Sequence, residues 1–386
     1  MRESMRRCLG LFIVILAFSS IACPPAPKDD PIKKDDAKAA VNLPPPDSVE
    51  QLKPRIEGAL EQVHGRKLMA KHGFWTVFHG ILGTGLERTM LTDPTTKEKV
   101  NAIDYICNGG ELPGLKFEPS QYGLDVQTVN PKNSPDLQFI AQGHQDQFIA
   151  EMTQWGMKPD RKFRVGGMDY TFQDFINHSR MRASVKKEQE LSWAIIIIAQ
   201  FYGTDYSWKN GDGDDLRFQD VVRYELDQPI GNEKAACGGT HRLFGLTWAY
   251  HLHLKRGGKK EGVWLDVEKK IADYKQLAKK LQNRDGTFST KYFDPEEPDP
   301  VPNAAIDKTD LRISTSGHVL EWLALAMTDD ELRSPWMQNA VNGLVILILE
   351  MGPRPIDGGA LYHAAHGLHL YHERVFGTPA AYLPLP

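Results

Sequence analysis

Cys237-Gly238-Gly239-Thr240-His241-Arg242 opens an apolar helical stretch that runs to Lys255. The paired glycines suggest a tight turn, Thr240 a helix N-cap, and His241 and Arg242 the first helical turn. The same kind of opening recurs at other apolar helices: His79-Gly80, Gly143-His144, Ser316-Gly317-His318, and Gly358-Gly359 followed by His363. A further helix beginning near Glu190 fits the series without the glycine. Taken at positions 79, 144, 190, 241, 318 and 363, the starts lie 65, 46, 51, 77 and 45 residues apart. A helix pair needs about 45 residues, and the two wide gaps hold the two longest connections, 108–141 and 294–314. Six such units predict an all-α chain closed as an α/α toroid of about six helical hairpins. An open α-solenoid is the alternative.

Helical periodicity covers residues 48–71, 75–89, 97–107, 144–155, 172–178, 187–202, 239–255, 263–282, 316–327, 334–350 and 360–376, and strand signals are few. Residues 195–198 are four isoleucines, but they sit inside a stretch long enough to be a buried helix.

Ahead of the helices the chain changes character. Arg2, Arg6 and Arg7 precede an apolar stretch, 9–22, too short to span a bilayer stably, which predicts a signal peptide over 1–22. Ser20-Ile21-Ala22-Cys23 resembles a lipobox, so Cys23 is expected to carry lipid, although Leu is commoner where Ser20 stands. Residues 23–47 are mostly Pro, Lys, Asp and Ala, a composition that cannot bury enough surface to fold and reads as a tether. The expectation is an exported chain, anchored by lipid to a membrane of the cell envelope (periplasm or cell surface), with one domain over 48–386. Its 46 basic and 50 acidic residues include no basic run, which argues against nucleic acid. Four cysteines are present. Cys8 leaves with the signal and Cys23 takes lipid, so Cys107 and Cys237 remain as one disulfide or two buried thiols.

Gln282-Asn283-Arg284-Asp285-Gly286-Thr287-Phe288 resembles the Q-x-x-x-G-x-[FW] signature of terpenoid cyclases and their α/α-toroid relatives. The resemblance implies that the Gln caps a helix end and the aromatic ring packs against it, tying successive hairpins together. Protein prenyltransferase subunits, six-hairpin glycosidases and some polysaccharide lyases share that toroid. The prenyltransferase zinc pattern is missing, because Cys237 follows Ala235-Ala236 where Asp-x-Cys is wanted.

In a toroid the inner helices aim their N-termini at one mouth, where free backbone N–H groups and glycine admit a ligand. On that expectation His241, His318, Glu321 and Glu190 are candidate catalytic residues, and His144, Asp146, Arg242 and His363 candidate ligand-binding residues. His241 and Arg242 can act as base and electrostatic stabiliser. His318 and Glu321, three apart, share a helix face, where the carboxylate can set the tautomer of the imidazole. Gly143-His144-Gln145-Asp146-Gln147 packs an imidazole, a carboxylate and two amides into one helical turn. Equally, each group could serve only to satisfy a neighbour within a polar layer.

Cofactors are not fixed by these patterns. His363 and His366 can share a face and hold zinc with His318 or His241, yet H-E-x-x-H and C-x-x-C are absent. Asn210-Gly211-Asp212-Gly213-Asp214-Asp215 begins like a calcium loop but lacks its later Gly and Glu, and its Asp-x-Asp-Asp resembles a terpene-cyclase acid set in a polar loop. A solvated acidic loop is its expected state. The functional expectation is a toroid cavity that binds, and as a lyase or hydrolase cleaves, an extracellular carbohydrate or similar polar ligand. A non-enzymatic envelope scaffold is the alternative, and a terpenoid cyclase-like protein the third reading.

Overall fold

The computed structural model describes residue 46 and residues 48–128, 141–232, 234–294 and 309–377. The expected signal peptide, Cys23, the tether apart from residue 46, and the last nine residues of the expected domain lie outside them. Helix predominates at 57% against 11% strand, so the chain is mainly helical rather than all-α. Among the described residues, no helix is long and apolar enough to cross a membrane.

Thirteen α-helices are described: α1 (Leu52–His64), α2 (Gly73–Thr84), α3 (Ala102–Cys107), α4 (Gln147–Gln154), α5 (Phe172–Arg182), α6 (Ser192–Phe201), α7 (Phe218–Asp227), α8 (Thr240–Lys255), α9 (Val263–Lys280), α10 (Thr309–Ala326), α11 (Asp329–Leu332), α12 (Pro335–Met351) and α13 (Gly358–Phe376). They fall into two kinds. In α1, α5, α7 and α9 the buried residues form one stripe, as at Phe218, Val221, Val222, Glu225 and Leu226 of α7, the mark of a helix with one face on a core. By contrast α2, α6, α10 and α13 are buried nearly all round; Ile195 to Ile198 of α6 are wholly inaccessible. Helices buried on every side belong to the interior. These interior helices pack in succession, α2 on α4, α4 on α6, α6 on α8, α8 on α10 and α10 on α13, and α13 then packs on α2. The one-stripe helices lie outside: α1 against α12 and α13, α5 against α6, α7 against α6 and α8, α9 against α8.

Small sheets depart from the all-α expectation. β1 (Leu68–Met69), β2 (Met90–Thr92) and β3 (Lys99–Asn101) form a three-stranded sheet in that order. Three antiparallel hairpins follow: β4 (Phe117–Ser120) with β5 (Gly123–Val126), β6 (Lys162–Val165) with β7 (Met168–Thr171), and β8 (Ser207–Lys209) with β9 (Asp215–Arg217). The second and third run directly into outer helices at matching sequences, Phe172-Gln173-Asp174 and Phe218-Gln219-Asp220, 46 positions apart. In each, the Asp reaches back to the backbone N–H before the helix, Asp174 to Thr171 at 2.7 Å and Asp220 to Arg217 at 3.0 Å. Each capping carboxylate satisfies a donor the helix leaves open. The expected calcium-like loop is the turn of the β8–β9 hairpin. Asn210 accepts from the Asp212 and Asp214 amides, and Asp212, Asp214 and Asp215 pair with Lys187, Lys186 and Lys209.

The signature-like stretch closes the end of α9. Gln282 Nε2 donates to Gly286 O (3.0 Å) and to Trp336 O (2.8 Å) at the start of α12, while buried Phe288 donates its N–H to Ser316 Oγ of α10.

Candidate functional site

The interior helices bring five histidines into one string. Its first member, His144, precedes α4 rather than lying in it, because Asp146 takes a left-handed conformation (φ 66°) and the helix starts at Gln147. The expected single helical turn of polar groups is therefore a bend. His144 Nδ1 is 2.7 Å from Glu190 Oε2, and Glu190 Oε1 is 3.8 Å from His241 Nδ1. His241 sits in the first turn of α8, whose N-cap is Gly239 and not Thr240; the Thr240 hydroxyl donates back to Cys237 O. Cys237 and Gly238 turn left-handed here, and a Cβ on Gly238 would overlap the Tyr292 ring at 2.1 Å.

His318 follows, with ring centroids 5.3 Å from His241 and 4.1 Å from His363; His363 is 5.2 Å from His79. Neither His318 nor Glu321 lies at the helix start that the sequence led us to expect, since α10 spans Thr309–Ala326. His79 likewise stands inside α2. Glu321 does not serve His318. Its two oxygens meet His363 Nδ1 (2.8 Å) and His366 Nδ1 (2.5 Å), while His318 Nδ1 donates to Ser314 O (2.7 Å). Arg242 stays apart from the histidines. Its Nε donates to buried Glu225 (2.6 Å), which also accepts from the Leu191 amide, and its Nη1 donates to Pro229 O. Asp146 pairs with Arg182 at 2.6 Å.

Burial sets the electrostatics. His241, His318 and His363 are 4%, 2% and 2% exposed, which keeps them from water; the Glu190 side chain is 22% exposed. Burial pushes the His241 imidazole down to about 4 against the pull of Glu190. It drives His79 and His318 well below the usual imidazole range, with the neighbouring His363 adding to the effect. Burial would raise Glu190 and Glu321, but the adjoining histidines outweigh it and hold both carboxyls below the ordinary range. Glu151 of α4 lies 3.7 Å from His79 Nε2, too far for a hydrogen bond, and burial together with the charge of Glu321 pushes it well above. Perturbed groups gathered at one place mark candidate sites for chemistry.

Glu151 was missed by sequence reasoning. The signal was there, a carboxylate one turn beyond Gln147 in a helix whose every residue is buried. Cys107 and Cys237 are both buried thiols that no disulfide joins. Three sets of potential metal ligands overlap along the string: His144 with Cys237 and His241, His241 with His318 and His363, and His79 with Glu151 and His363. No protein-family model matches the chain, and none of the curated proteins or solved structures compared with it matches either.

Proposed function

We propose that the chain is an exported, lipid-anchored α/α toroid that binds an extracellular carbohydrate or similar polar ligand beside Glu190 and cleaves it by acid–base chemistry. The ring is supported by the succession of interior contacts from α2 through α13 and back, and by the tie that Gln282 makes between α9 and α12. One observation carries the activity: Glu190, a partly exposed carboxylate, stands between two imidazoles at 2.7 and 3.8 Å. Held ionised, it accepts the Nδ1 proton of His144 and raises the basicity of that ring, the candidate base. Two-carboxylate hydrolysis needs one carboxyl kept protonated opposite a second. Glu190 is held ionised and Asp146 is tied to Arg182, so elimination suits the site better. In a uronate polymer the base would remove the proton α to the sugar carboxylate. The C–O bond to the departing sugar then breaks as a C=C bond forms, and the departing oxygen takes a proton.

Incubation with uronate polysaccharides should yield an unsaturated, ultraviolet-absorbing product. Glu190→Gln should lower kcat by about 10²–10⁴-fold with little change in Tm. No product from acidic or neutral polysaccharides, together with a loss of about 1–3 kcal/mol in that variant, would instead favour a non-enzymatic envelope scaffold. That second reading draws on Glu321, which satisfies His363 and His366 locally, as a purely structural polar layer requires.

A further inference from the structure

We propose that His241, His318 and His363 form a binding site for one divalent transition-metal ion of the zinc class. Their candidate ligand atoms all lie within 4.8 Å of one another, and each side chain is buried on a different interior helix or turn: the start of α8, the middle of α10, the first half of α13. Hydrogen bonding fixes two of the three tautomers. A peptide carbonyl only accepts, so His318 must carry its proton on Nδ1, facing Ser314 O. A carboxylate likewise only accepts, so His363 directs Nδ1–H to Glu321. In both rings the Nε2 lone pair is then left on the opposite side. Imidazoles that ligate zinc have this arrangement, with the other nitrogen donating to a carboxylate or a backbone carbonyl.

Two unsatisfied buried side chains, the ligand His241 and its neighbour Glu151, point to an absent partner. Both ring nitrogens of His241 lack a hydrogen-bond partner although the residue is buried. So do both oxygens of Glu151, which is wholly buried and shares a ligand cluster with His363. Buried polar groups are otherwise almost always satisfied, and the nearest imidazole to Glu151, His79, stays 3.7 Å away. A cation bound through His363 would give Glu151 a counter-charge and His241 a bond. Three imidazoles with a fourth position open match a zinc or cobalt site rather than calcium or magnesium, which take oxygen ligands. The cleavage reading rests on Glu190 and His144, neither of which is a ligand here, although both readings draw on His241.

The full-length chain, stripped with a chelator and dialysed, should be titrated with Zn²⁺ and with Co²⁺. One equivalent should bind, Co²⁺ should develop visible d–d bands, and Zn²⁺ should raise Tm. His318→Ala and His241→Ala should each weaken binding more than tenfold, and Glu321→Gln by about 10–100-fold. Circular dichroism of each metal-free variant separates loss of a ligand from loss of fold. Glu190→Gln should bind metal like the parent, so that failure of the metal site and failure of the cleavage reading are told apart. Absence of stoichiometric binding by the folded parent overturns the proposal. So does binding that persists undiminished in the His241→Ala/His318→Ala double variant, or that is abolished by Cys237→Ser or Glu151→Gln while His318→Ala retains it.

Discussion

Successive residues on a helix project about 100° apart, and that angle separates His241 from Arg242. With His241 turned to the other histidines, Arg242 must face sideways, and it meets Glu225 of α7. Adjacency in sequence suggested a shared site for the two, and helical geometry forbids it. His318 and His363 were legible because polar groups in apolar helices stand out, and His144 and Glu190 because they stand just ahead of such helices. Glu151 was not, being one carboxylate in a short helix without a neighbouring glycine. Asp357, the N-cap of α13, was not singled out either, and it yields a pH prediction. It accepts from Ala360 N–H (3.0 Å) and Trp75 Nε1–H (3.1 Å), yet burial raises its carboxyl to about 6. Its folded-state value lies above the unfolded one, so the folded chain binds more protons between about pH 4 and pH 6. Stability should fall as pH rises through that window. Asp357→Asn removes the charge and keeps one acceptor oxygen for two donors that Asp357 serves with separate oxygens. Denaturant melts should show the stability difference between variant and parent shifting in favour of the variant by about 1–2 kcal/mol from pH 4 to pH 7, after discounting for partial exposure. An unchanged difference at both pH values would refute this account.

The start of α10 went astray where a Gly-His pair was read as a helix opening. Ser316-Gly317-His318 looked like a helix opening, but Thr315 Oγ1 just before it donates to Leu311 O one turn back, so the run continues α10 instead of starting it. The β-hairpins that lead into α5 and α7 went unforeseen because their strands are three or four residues long, too short for alternation to register. Glycine is where the elements make their sharpest demand. A Cβ on Gly317 of α10 would lie 2.7 Å from both Cα and Cβ of Ala364 in α13, whereas one on Gly58 of α1 would meet nothing within 4 Å. Alanine favours a helix over glycine by about 1 kcal/mol at either site. Thermal melts should therefore show Gly58→Ala more stable by about 0.5–1 kcal/mol and Gly317→Ala less stable by about 1–3 kcal/mol, overpacking outweighing propensity. Like signs for the two variants would show that α10 and α13 can move apart freely.

For the molecule as a whole, the helical class was legible because the apolar periods are long. The order of packing was not, since an open and a closed array of helix pairs share the same local patterns. Truncation tests closure. In an open array, removing the last helix leaves the others folded. With α13 packed on α1, α2 and α10, a chain ending at residue 357 should lose cooperative unfolding altogether, as followed by circular dichroism. A sharp transition of slightly lower midpoint would speak for the open array. The proposed anchor has its own check: Cys23→Ser should abolish metabolic labelling by a fatty-acid probe, and label persisting in that variant would remove the lipoprotein reading.

The contact between α13 and α2 also governs the birth of the chain. α2 leaves the ribosome nearly three hundred residues before the helix that completes its surroundings. Until then the sides of α1 and α2 that face α13 have no native cover. Pairings so distant in sequence form slowly, because the loop they close must first be gathered in. The nascent chain is thus sticky through nearly the whole of its elongation, and its final helix acts as the clasp that ends the vulnerable interval. Yield in the cell should follow how well chaperones shield the N-terminal helices during that wait.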